Sequence, residues 1–116
     1  MITNVTPAQL AERLQAGNVT LVDVRELHEH QDERIDGALH MPLSSFNPAS
    51  VPVHPKKTVV FHCARGGRSA NAVALCQQAG LKIDSHLAGG IAAWKSAGLP
   101  TLSARKPGLL SRLFGG

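Results

Sequence analysis

A chain of 116 residues and 12.2 kDa has room for one domain. With 43% hydrophobic and 17% charged residues it reads as globular rather than disordered, and its longest apolar run, Ala72 to Cys76, falls far short of a membrane-spanning helix. A net charge of +4, no tyrosine and few other aromatics point away from base-stacking platforms and toward small anions.

The first element is a helix. Thr6 is its N-cap, Pro7 takes N1, Gln9 at N3 completes a capping box, and Gly17 is placed to end it. Val5 and Leu10 occupy the staple positions, and Leu10 and Leu14 repeat four apart. Val19 to Val24 is a β-branched run, apolar on both faces, as expected of a buried parallel strand. Glu26 to Glu33 is polar and lacks proline, which predicts a short exposed helix. Gly37 to Met41 is a weak strand stopped by Pro42. Pro48, Pro52 and Pro55 mark a surface loop.

Thr58 to His62 is the clearest strand. A glycine-containing turn over Ala64 to Arg68 leads into a helix from Ser69 to Ala79. A short strand at Ile83 to Leu87, a Gly89-Gly90 turn and a helix from Ile91 to Ala97 follow. Strands and helices alternate, which favours an α/β domain with a parallel sheet covered on both faces. Residues 103–116 read as a tail after a domain at 1–102.

Two cysteines are too few for a disulfide framework or a zinc ribbon. MITNVTPAQ has neither the basic nor the apolar region of a secretory leader. The expectation is a cytoplasmic, reducing location.

The informative segment is TVVFHCARGGRSANAVAL. Cys63 follows a buried strand at its carboxyl end, where open α/β sheets bind ligands. Gly66 and Gly67 allow the loop to turn its N–H groups toward the sulfur. The helix start, those N–H groups, and Arg65 and Arg68 would all favour a thiolate. Cys63 thus reads as a nucleophile beside an anion site. The alternative is an inert core cysteine, which has no need of two arginines and two glycines beside it.

Three stretches carry a resemblance to a family. LVDVRELHEHQDERIDGALHMP resembles the Asp-x-Arg strand end and Gly-Ala segment of rhodaneses, HCARGGRSA their active-site loop, and LAGGIAAW their late Gly-Gly-x-x-x-Trp signature. Together they place the chain near the single-domain rhodanese sulfurtransferases. The resemblance implies a three-layer fold with a five-stranded, mostly parallel sheet. It implies that Cys63 takes a sulfane sulfur from a small anionic donor, such as thiosulfate or a persulfide. A persulfide on Cys63 would then yield that sulfur to cyanide, a thiol or a protein thiol. N–H groups of Ala64, Gly66, Gly67 and Ser69 would hold the sulfur, and Arg65 and Arg68 would bind the donor. The resemblance implies neither a metal nor an organic cofactor. His30 stands where the family often has an aromatic residue, and Asp36 replaces a common proline.

Two other functions compete. HCARG opens like the cysteine phosphatases, but four residues separate Cys63 from Arg68 where those enzymes have five. The shorter loop makes a smaller cradle, which leaves a phosphatase or an arsenate reductase as the less favoured enzyme reading. A binding or regulatory module of the same fold typically lacks the cysteine. Asp23 and Arg25 read as a structural clamp, Trp94 as a core anchor, Cys76 as buried, His62 as a packing residue or a side chain that tunes the nucleophile from behind, and the other histidines as solvated surface residues. Leu109, Leu110, Leu113 and Phe114, with Arg105, Lys106 and Arg112, are the residues of the tail suited to a partner or an anionic membrane.

Overall fold

The computed structural model describes residues 1–103. Strand β1 (Thr3–Val5) precedes helix α1 (Pro7–Ala16), strand β2 (Val19–Asp23) and helix α2 (Leu27–Asp32). Strands β3 (Glu33–Arg34), β4 (Leu39–His40) and β5 (Thr58–His62) follow, then helix α3 (Gly67–Gln78). Strand β6 (Ser85–Leu87), helix α4 (Gly90–Ser96) and strand β7 (Leu102–Ser103) complete the order. The main sheet has five strands in the order β1-β6-β5-β2-β4, and every pairing in it is parallel. The expected five-stranded α/β sheet is therefore present.

Strand alternation sorts the core into two halves. From β2 and β5, Val22, Val59, Phe61 and the adjoining Cys63 pack toward α3 with Ala72, Val73 and Cys76. Leu21 and Val60 point the other way, joining Leu10 of α1 and Ile91 and Trp94 of α4. Helices thus cover both faces. The Trp94 ring is buried, and its Nε1–H donates to the Pro100 carbonyl at 2.8 Å, so one side chain ties α4 to the chain after it.

Helix α1 begins as its sequence predicts. The Gln9 N–H donates to Thr6 Oγ1 and the Thr6 N–H to Gln9 Oε1, and Gly17 closes the helix in the left-handed region. Other boundaries shift. Helix α3 starts at Gly67 rather than Ser69, because Gly66 at φ 118° takes the cap. The strand expected from Ile83 is confined to Ser85–Leu87.

Two pairings are absent from the sequence reading. Val5 was placed as a helix staple, and it is also the end of β1, which pairs with β6 as an edge strand. Strands β3 and β7 form an antiparallel pair, Glu33 opposite Ser103 and Arg34 opposite Leu102. Strand β7 therefore straddles the expected boundary at residue 102. The tail residues named above, from Arg105 to Phe114, lie outside the described residues. No helix among the described residues is long and apolar enough to cross a membrane.

Candidate active site

Cys63 leaves the end of β5 and is buried. The loop after it curls back on the sulfur. The Gly66 N–H donates to Cys63 Sγ at 3.0 Å and the Ser69 N–H at 3.3 Å. The Ser69 hydroxyl lies 3.5 Å from Sγ. Burial pushes the Cys63 thiol up, but hydrogen bonds from the Ser69 hydroxyl and from the N–H groups of Ser69, Gly66 and Arg65 outweigh it. The net result is a pKa below that of an ordinary thiol, as expected of a cysteine beneath a helix N-terminus.

The two arginines sit in different settings. Arg68 is expected to add positive charge beside the sulfur; its guanidinium is paired with Glu29 of α2. Nη1 and Nη2 reach the two carboxylate oxygens at 2.7 and 2.9 Å. The Arg68 hydrogen bonds hold the Glu29 carboxyl down at about 2. The pair spans 39 residues of chain, and no local spacing announces it. Arg65 is exposed at the loop tip, as is Gly67, while Ala64 and Gly66 are half-buried and Ser69 is buried.

The loop is held from below by α4. The Ile91 N–H donates to the Cys63 carbonyl at 2.9 Å and the Ala92 N–H to the Ala64 carbonyl at 3.1 Å. This close docking explains the second glycine of LAGGIAAW. Gly90 has φ 64°, and a Cβ there would lie 2.5 Å from the Cys63 carbonyl oxygen and from the Ala64 carbonyl group. Gly90→Ala is therefore expected to destabilise the domain by about 2–4 kcal/mol and to displace the loop. Urea unfolding and Cys63 alkylation would check this; wild-type values for both would contradict it.

Behind the loop lies a polar cluster. Asp23 is fully buried and accepts from Arg25 Nε at 3.0 Å and Nη2 at 2.8 Å, and from the Arg25 N–H at 2.9 Å. Arg25 Nη2 also donates to the Glu33 carbonyl at 2.6 Å, which ties the end of β2 to β3. The expected clamp at Asp23 and Arg25 thus exists. His62, opposite Asp23 in the sheet register, is buried with Nε2 3.7 Å from the carboxylate. Burial lowers the His62 pKa, against the opposing pull of Asp23.

The reading of His30 as a solvated surface residue is corrected. Its Nδ1 lies 2.9 Å from Asp23, and its ring stacks on His40 with centroids 4.5 Å apart. It fills the place expected of an aromatic side chain through that stacking. His40 and His86 are likewise drawn in: His40 Nε2 donates to the Arg25 carbonyl at 2.7 Å, and His86 Nδ1 lies 2.7 Å from Ser69 Oγ. His28 and His54 are exposed. Cys76 is buried on α3, and burial pushes its thiol up. Among the described residues no cluster of His, Cys, Asp or Glu suits a metal ion.

The profile of the rhodanese-like domain matches residues 6–97. The chain belongs to the rhodanese-like domain family. It is 44% identical over 105 residues to the uncharacterized protein slr1261 of Synechocystis sp., covering 89% of this chain and 59% of that one. It spans, then, about three-fifths of that longer relative. A protein named sulfurtransferase from Allochromatium vinosum is 32% identical, with 89% of this chain and 97% of that one covered. The solution structure of the rhodanese-like domain of the Anabaena sp. Alr3790 protein superposes with a TM-score of 0.77 at 32% identity, over 92% of this chain and 86% of that one. In this rhodanese-like domain the family's three signature stretches converge. The Asp-x-Arg strand end braces the site, HCARGGRSA forms the loop, and Gly-Gly docks α4 beneath it.

Proposed function

We propose that this rhodanese-like domain is a sulfurtransferase that carries sulfane sulfur on Cys63. The observation that carries the reading is the ring of N–H donors on Cys63 Sγ. Such donors favour the thiolate, the form that attacks a sulfur atom. With thiosulfate as donor, the thiolate attacks the outer sulfur, the S–S bond breaks, and sulfite leaves with both negative charges. The persulfide on Cys63 keeps one negative charge. Cyanide or a thiolate then attacks the terminal sulfur and restores the Cys63 thiolate. The loop N–H groups, already aimed at sulfur, are fitted to stabilise the terminal persulfide sulfur as an oxyanion hole stabilises oxygen.

Arg68, held by Glu29, serves this reaction by fixing the loop against α2. Arg65 is the exposed cation suited to an incoming anion. Arg65→Ala is expected to raise KM for thiosulfate about fivefold with little change in kcat, as for the loss of a uniform binding contact. Steady-state assays with thiosulfate and cyanide would show it, and an unchanged KM would remove Arg65 from donor binding. A phosphatase reading finds no support in Arg68, whose donors are already committed to Glu29 rather than turned to a phosphate. Both cysteines are free thiols, which favours work in a reducing compartment such as the cytoplasm.

Intact-mass spectrometry tests the reading directly. Incubation with thiosulfate should add one sulfur to the protein, and cyanide should remove it as thiocyanate. Failure with thiosulfate, polysulfide and glutathione persulfide alike would overturn it.

A further inference from the structure

Behind the sulfur runs a line of polar groups that continues from Ser69 to two residues the reaction above does not use. Cys63 Sγ lies 3.5 Å from Ser69 Oγ, which lies 2.7 Å from His86 Nδ1. On the far side of the ring, His86 Nε2 lies 2.9 Å from Asn4 Oδ1. The residues come from the loop helix α3, from β6 and from β1, so only the tertiary fold assembles them. Cys63, Ser69 and His86 are buried, whereas Asn4 is exposed on the edge strand. The line therefore leads from a buried sulfur to solvent.

Hydrogen-bond inventory sets the protons. Asn4 Oδ1 only accepts, so His86 Nε2 carries a hydrogen. In neutral His86, Nδ1 is then an acceptor, and at 2.7 Å it outcompetes the Gly66 carbonyl, 3.1 Å from Ser69 Oγ, for the one Ser69 hydroxyl hydrogen. The Ser69 oxygen can accept the Cys63 S–H in that state, but it has no hydrogen left for a thiolate. If Nδ1 is protonated instead, it donates to Ser69 Oγ, and the Ser69 hydroxyl turns from the ring to the charged Cys63 thiolate, a stronger acceptor than the neutral Gly66 carbonyl on its other side. The thiolate and the imidazolium thus satisfy the same three groups together.

We propose that Ser69, His86 and Asn4 form a proton relay that moves the Cys63 proton onto His86 and holds the thiolate paired with the imidazolium. The proposal rests on Cys63 being the sulfur-accepting nucleophile. In the relay the S–H bond breaks with its electron pair left on sulfur, and a new O–H bond forms on Ser69. The original Ser69 O–H bond breaks as Nδ1–H forms on His86. The net charge of the site is unchanged, and no oxidant or reductant takes part. Ser69 touches the reacting sulfur, while His86 and Asn4 are positioning residues acting through it.

Burial holds the His86 pKa below its ordinary value. Across Ser69, Cys63 is the titratable group that faces the ring. From β1 the neutral Asn4 faces it, and from the loop Gly66 lies against it. A lone buried imidazole resists protonation, and the thiolate supplies the counter-charge that offsets this cost. The two groups then titrate as a coupled pair.

The test is a pH titration of the Cys63 thiolate, followed by ultraviolet difference absorbance against Cys63→Ser and by alkylation rate, with no sulfur donor present. His86→Gln keeps a polar side chain beside Ser69 but cannot hold the proton. It is expected to raise the thiolate midpoint by about one unit and to slow alkylation at neutral pH about tenfold, with the rate recovered at higher pH. Asn4→Asp, a surface change, places a carboxylate on Nε2 and should lower the midpoint. An unchanged midpoint in His86→Gln, or a raised one in Asn4→Asp, overturns the relay. A role for His86 in packing alone would slow alkylation equally at every pH, which counts as the unchanged midpoint. Because no donor is used, failure of the relay is separate from failure of sulfur transfer, which the mass experiment reads on the wild-type protein.

Discussion

Cys63→Ser should abolish sulfur transfer while leaving the fold in place. Serine is close to isosteric with cysteine, and the Gly66 and Ser69 N–H groups that surround the sulfur remain able to donate to its oxygen. The alcohol, however, is neither ionised near neutrality nor a match for thiolate in attack on sulfur. Loss of a nucleophile that forms the covalent intermediate costs several orders of magnitude, here at least about a thousandfold. The variant should gain no sulfur mass from thiosulfate and release no thiocyanate to cyanide, with a urea midpoint near that of the parent. Cys76→Ser is the companion variant. Cys76 sits in the core of α3 with its thiol pushed up by burial, so most of the activity should survive its loss. Undiminished transfer by Cys63→Ser would sink the persulfide mechanism.

Asp23→Asn should be the most destabilising polar substitution at the site. The carboxylate is fully buried and holds Arg25 by three nitrogen contacts, with His30 on the same oxygen as Arg25 Nη2. Removing its charge leaves the buried Arg25 guanidinium without a counter-ion, a change that costs about 3–5 kcal/mol. The effect depends on pH in a defined direction. Burial pushes Asp23 up, but Arg25, His62 and His30 together bring it down from 3.8 to about 2 in the folded protein. A depressed folded pKa means that the stabilisation is present above the unfolded value and lost as pH falls through the folded one. The gap between parent and variant in urea unfolding should therefore be full at neutral pH. It should narrow by about 2 kcal/mol as pH falls from about 4 toward about 2. Equal stability of the two proteins at neutral pH would show that Asp23 braces nothing.

The two expectations meet at one place in the fold. Asp23 and His62 are register partners on adjacent strands, and Cys63 follows His62 directly. The braced strand ends give the loop a rigid floor. Helix α4 adds a second hold through the Cys63 and Ala64 carbonyls, and Arg68 a third through Glu29. Rigid supports of this kind keep donors aimed at the position where charge develops, rather than reorganising during the reaction.

What could be read from the sequence is what local physics controls. The Thr6 cap, the Gly17 stop and the β-branched strand of β5 each depend on residues within a few positions of one another, so their spacing carried them. The same holds for Cys63 at a strand end before a glycine loop, and for the N–H groups that such a loop turns inward. The family resemblance added the five-stranded sheet, whereas the docking of α4 on the loop at Gly90 belongs to the tertiary structure. Charge partners were a different matter. The sequence marks Arg68 as a cation near the sulfur but not its partner, because Glu29 lies 39 residues away. His30 looked solvated because Asp23 and His40 reach it only across the folded strand ends. The line from Ser69 through His86 to Asn4 spans 17 and then 82 residues, and strand β1, which supplies its last member, gave no signal of its own. Caps, turns and periodicity act over one or two helical turns and are written in the chain. Which buried polar groups share a proton or a charge depends on long-range packing, and that only the tertiary structure decided.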